Sequence, residues 1–270
     1  MAAVPRRILV TGGNKGIGKA LCKQLVDANY HVLLGSRDEE RGLAAVGEIA
    51  EATHASDRIE FLRLDVCQES SVTSAAQFVV SKYGTESPLF AVVNNAGVGG
   101  NSMRDTLNVN LYGPKRVCDA FIPLLCPSTG RIVNTSSASG PMFVADASRE
   151  LASTLVDPNL TWDVLDSLVN ASLESSMNAY GFSKACLNAY TMILAREHPN
   201  LLINAMTPGF IDTDLTAGRG STSPPEKGTK SAIHLLFADL EGNGRFYGSD
   251  AVRSPLDRYR NPGDPPYEGP

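Results

Sequence analysis

Short apolar runs alternate with helix-length segments along nearly all of this chain, and that alternation restricts the fold more than any other feature. Strand-like runs lie at 8–11, 31–35, 59–64, 89–94, 131–135, 201–206 and, more weakly, 245–247. Helix-like stretches lie at 16–28, 39–52, 71–83, 103–125, 177–197 and 227–237. A β-α-β-α order needs crossover helices, so the strands must run parallel and be covered on both faces. Ala91-Val92-Val93 is apolar without alternation, as a strand buried on both sides should be. The expected fold is α/β: a doubly wound parallel sheet in one domain over 1–270.

Two segments interrupt the alternation. Residues 138–176 separate a strand from a helix and carry their own helical patterning at 151–156 and 162–173. Asp157-Pro158 breaks these two pieces apart, and Thr161 is placed to cap the second. This reads as a helical insertion. Residues 212–226, rich in Gly, Thr, Ser and Pro, read as a mobile substrate loop. The Pro/Gly-rich tail at 261–270 reads as irregular coil.

At 270 residues the chain is long enough for one large α/β core. A net charge of −5 argues against nucleic acid or an anionic membrane as partner, and no apolar run approaches the ~20 residues of a membrane span. The chain runs from Met1 almost directly into a strand, leaving no room for a signal peptide, which predicts a cytoplasmic protein. The cysteines (Cys22, Cys67, Cys118, Cys126, Cys186) are scattered with no Cys-x-x-Cys pair, a pattern that fits buried thiols in a reducing compartment. His31, His54, His198 and His234 have no metal-like spacing.

Gly12, Gly16 and Gly18 follow the first strand and open the first helix, the context in which glycines let a backbone approach a pyrophosphate at a helix N-terminus. The second strand ends Gly35-Ser36-Arg37, with Arg41 one helical turn on and Lys15 in the glycine loop. Three cations at that point suit the 2′-phosphate of NADP(H), where a carboxylate would suit NAD. Asp38 reads as the cap of the next helix. Downstream, Tyr180 and Lys184 are four apart on a helical stretch and share one face, so an ammonium can act on a phenol. A phenol titrates near ~10 and needs such tuning to work near neutrality.

Together these residues resemble the short-chain dehydrogenase/reductase family, whose members have the Rossmann fold. Thr11-Gly12-x-x-x-Gly16-Ile17-Gly18 is similar to its cofactor motif, Asn94-Asn95-Ala96-Gly97 to the motif after the fourth strand, and Asn110 stands in its helix asparagine position. Residues 131–137 are similar to the strand ending in the family's serine. Tyr180-x-x-x-Lys184 is similar to its catalytic pair, and 208–213 (Pro-Gly-Phe-Ile-Asp-Thr) to its nicotinamide-side motif. The 42 residues between Ser137 and Tyr180 (138–179), together with Thr11 to Gly16 and Ser36 to Arg41, resemble the monomeric carbonyl reductases and the plant menthone/salutaridine-type reductases.

The resemblance implies roles for these residues. Tyr180 is the general acid, Lys184 lowers its pKa and holds the nicotinamide ribose, and Ser137 positions the substrate oxygen, with Ser136 and Ser139 as rivals. Asn110 holds a water that links Lys184 to solvent. NADPH/NADP+ is held by Gly12, Asn14, Lys15, Gly16, Ile17, Gly18, Arg37 and Arg41. Asp65 and Val66 meet the adenine, although Asp65 reads equally as a turn cap. Asn94, Ala96 and Gly97 line the ribose and the central sheet. Pro208, Gly209, Ile211 and Thr213 hold the nicotinamide, with main-chain groups of Ile211 on its carboxamide and B-face hydride transfer. Met142, Phe143 and Phe210, just past strand ends, are candidates for the pocket wall, and Trp162 for packing the insertion onto the body. The insertion should cover the helix surface used by tetrameric relatives, which predicts a monomer. The expected activity is NADPH-dependent reduction of a ketone or aldehyde of a small, fairly apolar molecule. The rivals are a dedicated terpenoid, alkaloid or steroid alcohol dehydrogenase and a non-catalytic NADP-binding interaction protein.

Overall fold

The computed structural model describes residues 6–100, 102–240 and 242–269. Eight strands form one sheet in the order β3-β2-β1-β4-β5-β6-β7-β8. They are β1 (Arg7–Thr11), β2 (His31–Ser36), β3 (Ile59–Arg63), β4 (Ala91–Asn94), β5 (Arg131–Thr135), β6 (Leu202–Met206), β7 (Phe246–Tyr247) and β8 (Arg253–Ser254). All pairings are parallel except β7 with β8. The antiparallel edge strand β8 has no apolar run of its own and escaped the sequence reading. Strand order reverses between β1 and β4, and a crevice opens there beyond the carboxyl ends of the strands.

Helices α1 (Gly16–Asp27), α2 (Glu39–Thr53), α3 (Glu69–Tyr83), α9 (Ala179–Glu197) and α10 (Lys230–Phe237) fall close to their expected positions. The stretch expected as one helix over 103–125 is composite. α4 (Met103–Leu107) passes through a wider π turn at Asn108–Tyr112 into α5 (Gly113–Phe121) and a closing 3₁₀ turn. One extra residue per turn leaves no trace in hydrophobic periodicity, and such turns concentrate at functional sites.

Beyond β5 lies a helix the sequence reading missed, α6 (Ser139–Asp146), followed by α7 (Arg149–Leu155) and α8 (Trp162–Ala171). Gly140 and Pro141 both sit in the first turn of α6, where proline is tolerated. Gly140 is also what lets α6 touch α9: a Cβ on it would lie 3.1 Å from the Lys184 carbonyl carbon. The two helices therefore meet backbone to backbone. The Thr161 hydroxyl caps α8 by accepting from Val164 N at 3.5 Å. Trp162 meets Tyr112 and Tyr190 edge-on, with ring centroids 5.9 and 5.5 Å away, and so pins α8 to the body.

Two apolar clusters cover the two faces of the sheet. The tail is irregular but tied down, because buried Arg260 clasps Asp250 at 2.8 and 3.1 Å and donates to the Pro265 carbonyl. No helix among the described residues is long and apolar enough to cross a membrane.

Candidate active site

The glycine loop is held from below. Thr11 Oγ1 accepts from Asn95 N and Ala96 N, both at 3.0 Å, and the Asn95 amide donates to the Thr11 and Gly12 carbonyls at 2.9 and 3.2 Å. Gly12 adopts φ +63°, and a Cβ there would sit 3.0 Å from the Ala96 backbone. A Cβ on Gly18 would overlap the Gly12 carbonyl. α1 begins at Gly16 with no side-chain cap and no acidic residue in its first turn. Among the described residues no side chain caps its first N–H groups, which suits them to an anion such as a pyrophosphate. These residues fit a dinucleotide. Asn95, which sequence reasoning passed over, does most of the holding, and its place beside Asn94 in the motif was the available signal.

At the end of β2 the Asp38 carboxylate caps α2 by accepting from Arg41 N at 3.0 Å and pairs with Arg41 Nε at 3.3 Å. It is thereby occupied. Arg37 makes no ion pair among the described residues, and Lys15 reaches across the crevice to Asp214 at 2.5 Å.

Several expected cofactor residues face inward. The Asn94 amide donates to Asn134 Oδ1 at 2.9 Å inside the sheet, so any cofactor contact falls to its main chain. Asp65 acts as the turn cap, accepting from Cys67 N at 3.0 Å. The Val66 side chain packs in the core. Ile211 is buried, and its carbonyl is already taken by the Thr216 hydroxyl. Thr213 and Gly16 come together, as a Cβ on Gly16 would lie 3.2 Å from Thr213 Cγ2.

The expected chemical groups converge. Asn110 lies in the π turn, fully buried. Its Oδ1 accepts from Val98 N at 2.9 Å, and its Nδ2 donates to Val98 O at 2.9 Å and Ser183 Oγ at 3.0 Å. Lys184, 4% exposed, donates from Nζ to the Thr135 carbonyl at 2.8 Å, and that nitrogen lies 5.8 Å from the centroid of the Tyr180 ring. Burial lowers the lysine to about 8. Burial raises the Tyr180 phenol, while the neighbouring Ser137 hydroxyl and the Arg219 charge pull it back. The charge that lowers the phenol is that of Arg219, from the loop at 212–226, which the sequence reading did not single out, and not that of Lys184 as expected. Of the rival serines, Ser136 is buried and donates to the Lys184 carbonyl at 3.2 Å, Ser139 donates from its backbone N to Ser137 Oγ at 3.2 Å, and the hydroxyl bearing on the phenol is that of Ser137.

A cavity of about 320 Å³ opens over Tyr180, walled by Gly99, Ser139, Asn178, Leu215 and Arg219. Its size suits a small molecule. Met142, Phe143 and Phe210 do not line it, contrary to expectation. α6 turns Phe143 onto Phe182, with ring centroids 5.5 Å apart, while Met142 and Phe210 are half-exposed elsewhere. Closeness to a strand end selects the correct rim of the sheet but not the face of the helix that follows.

Residues 6–149 match the short chain dehydrogenase family. The chain is 37% identical over 277 positions to a (+)-neomenthol dehydrogenase of Arabidopsis thaliana, spanning 86% of this chain and 92% of that one. The chain belongs to the short-chain dehydrogenase family. Another relative in this family is the carbonyl reductase [NADPH] 1 of Homo sapiens, 32% identical over 274 positions, spanning 90% of this chain and 96% of the other. The solved structure of salutaridine reductase from Papaver somniferum superposes with a TM-score of 0.80 at 30% identity, covering 90% of this chain and 99% of that one. As a short-chain dehydrogenase this protein is an oxidoreductase of a family that uses nicotinamide cofactors, built on the Rossmann-type sheet described above.

Proposed function

We propose that this protein is an NADPH-dependent carbonyl reductase that converts ketones or aldehydes of small, largely apolar molecules into alcohols, chiral ones where the substrate is an unsymmetrical ketone. The observation that carries this reading is Tyr180 on the wall of a ligand-sized cavity, with the Ser137 hydroxyl beside its phenol and the Nζ of buried Lys184 5.8 Å from its ring centroid. When bound, the nicotinamide supplies a hydride to the carbonyl carbon. Tyr180 gives its proton to the carbonyl oxygen, and its raised pKa keeps that proton in place until the oxygen becomes basic enough to take it. Ser137 holds the same oxygen. Lys184, lowered to about 8, is still mostly cationic near neutrality and supports the phenol. Asn110 braces the Val98 backbone and Ser183, and through them the wall around Lys184.

Arg37, which makes no ion pair among the described residues, and Asp38, occupied as a helix cap, together with Lys15 and Arg41, both near enough to act on Asp214, support NADPH over NADH. The likeness to a carbonyl reductase [NADPH] 1 points the same way. A monomer is supported by α9, whose residues 181–191 are all buried within one copy of the chain. A second reading, a dedicated alcohol dehydrogenase of one terpenoid or alkaloid, is favoured by the likeness to proteins named for neomenthol and salutaridine.

The test is NADPH consumption against a panel of ketones, aldehydes and keto esters, with NADH as control. Tyr180→Phe is expected to lower kcat by about 10²–10⁴-fold while NADPH still binds. Arg37→Asp should lower the NADPH-to-NADH ratio of kcat/KM by about tenfold or more. An active Tyr180→Phe enzyme would overturn the catalytic assignment, and an unchanged ratio in Arg37→Asp the cofactor assignment.

A further inference from the structure

The wall of the cavity over Tyr180 carries one charge that nothing balances. Arg219 lines it, together with Ser139 and Asn178 as polar neighbours and Leu215 as the apolar one. No carboxylate stands among the described lining residues, and Arg219 makes no ion pair with any described residue. The carboxylate nearest to it in sequence, Asp214, is taken by Lys15 at 2.5 Å. Arg219 is nevertheless near enough for its charge to act on the Tyr180 phenol.

Its position is built by the loop. Asp212 N donates to Ser223 O at 2.8 Å, and the Ser221 hydroxyl to Phe210 O at 2.8 Å, so the two ends of the segment are clamped together. Within it the Thr216 hydroxyl bridges Ile211 and Thr213, and Arg219 N donates to the Thr216 carbonyl at 3.0 Å. Gly218 and Gly220 flank the arginine at φ +74° and +80°. The chain thus makes a braced turn whose apex presents one guanidinium to the cavity.

We propose that Arg219 is a specificity-determining residue and that the substrate carries an anionic oxygen group, foremost a carboxylate, on the end of the molecule away from its reacting carbonyl. This rests on the reductase reading above and names the substrate class for it. A guanidinium offers a planar fork of donors that matches a carboxylate in two hydrogen bonds. Leu215 and Gly99 line the same cavity as Arg219 and Tyr180 and offer apolar contact to the body of the substrate. An anion held by Arg219 would fix the carbonyl at the far end against the phenol and Ser137, converting binding energy into orientation. Because the arginine is exposed, the effect should weaken as salt rises.

The decisive probes are 4-carboxybenzaldehyde and its uncharged match, methyl 4-formylbenzoate, assayed with NADPH. Wild type should favour the acid over the ester in kcat/KM by about tenfold at low salt. In Arg219→Ala that ratio should collapse to near one, while Arg219→Lys retains part of it. The KM for NADPH is measured in the same series. An acid-to-ester ratio that is absent in wild type, or unchanged in Arg219→Ala, overturns the proposal. So does a loss in Arg219→Ala that appears wholly in the KM for NADPH and equally with both aldehydes, which would make Arg219 a cofactor residue. If neither aldehyde is reduced, the reductase reading fails on these probes. The anion site is then decided by calorimetry with 4-(hydroxymethyl)benzoate and NADP+: binding that disappears in Arg219→Ala upholds it, and no binding to wild type refutes it.

Discussion

Two glycine-bearing loops face each other across the mouth of the crevice, one at 12–18 and the other at 212–226, and they are built on opposite principles. In the first, glycine is required by neighbours. A side chain on Gly12 would press on the Ala96 backbone at 3.0 Å, one on Gly18 would overlap the Gly12 carbonyl, and Asn95 bonds to the carbonyls that make the turn. In the second, a side chain on Gly218 or Gly220 would meet nothing within 4 Å. Those glycines serve only the direction of the chain, and the loop holds its shape through hydrogen bonds among its own residues. A loop locked by its surroundings serves a ligand part that does not vary. A loop braced mainly upon itself, tied to the cradle through Asp214 and Thr213, can change its other exposed side chains without disturbing the body, which suits the end that chooses a substrate.

The sharpest way to break this contrast is to add the same methyl group to each loop. Gly18→Ala is expected to abolish NADPH binding and to destabilise the fold by about 2 kcal/mol, because the Gly12 carbonyl and the Asn95 amide bonded to it are both in the way. Gly220→Ala should cost about 1 kcal/mol from left-handed backbone strain and leave NADPH affinity intact. Denaturant unfolding and a cofactor titration read both. Equal losses in the two variants would remove the distinction.

The same contrast explains what could be read in advance. The sheet and the cradle were legible because their demands are local and repeat: apolar runs at strand length, glycines at a strand–helix junction, Tyr180 and Lys184 one turn apart. Asn110 was legible by position, but the π turn that carries it was not, because one extra residue within a helix leaves the apolar pattern almost unaltered. α6 was hidden by Gly140 and Pro141, whose purpose, close approach to α9, exists only in three dimensions. Phe143 was misplaced for the same reason, since its direction follows from that contact. Arg219 lay in a segment that composition marked as mobile. The signal that it mattered was faint: a cation between two glycines with no acid three or four residues away.

Beneath both loops lies the buried floor, and Lys184 lets its burial be measured. Its amine titrates at about 8 in the fold against 10.5 when exposed. Between those values the unfolded chain still binds a proton that the folded chain has released, so this group makes the cofactor-free protein more stable as pH rises from about 8 to 10.5. Below about 8 the penalty for burying the charge is present in full. The interval corresponds to about 3 kcal/mol. Since the thiols that burial keeps protonated in the fold titrate there once the chain unfolds, the measurement is the difference in unfolding free energy between wild type and Lys184→Met across that pH range. Wild type should gain on the variant as pH rises, and a flat difference would show that the amine is solvated.

The smallest expected effect lies where the two loops touch. Asp214 belongs to the outer loop, yet it is held by Lys15 of the cradle, and the charges of Lys15 and Arg41 lower its pKa. These are two of the cations assigned above to the 2′-phosphate of NADPH. Carboxylate and phosphate then compete for Lys15, and the outer loop should be freer to move once the phosphate has arrived. Asp214→Asn removes the competitor. Its pair with Lys15 is largely exposed, so the melting temperature should not change. NADPH should bind about twofold more tightly at low salt, NADH should be indifferent, and the gain should fade as salt rises. Weaker NADPH binding in the variant would reverse the relation: Asp214 would then be aiming Lys15 at the phosphate, and the outer loop would be part of the cradle.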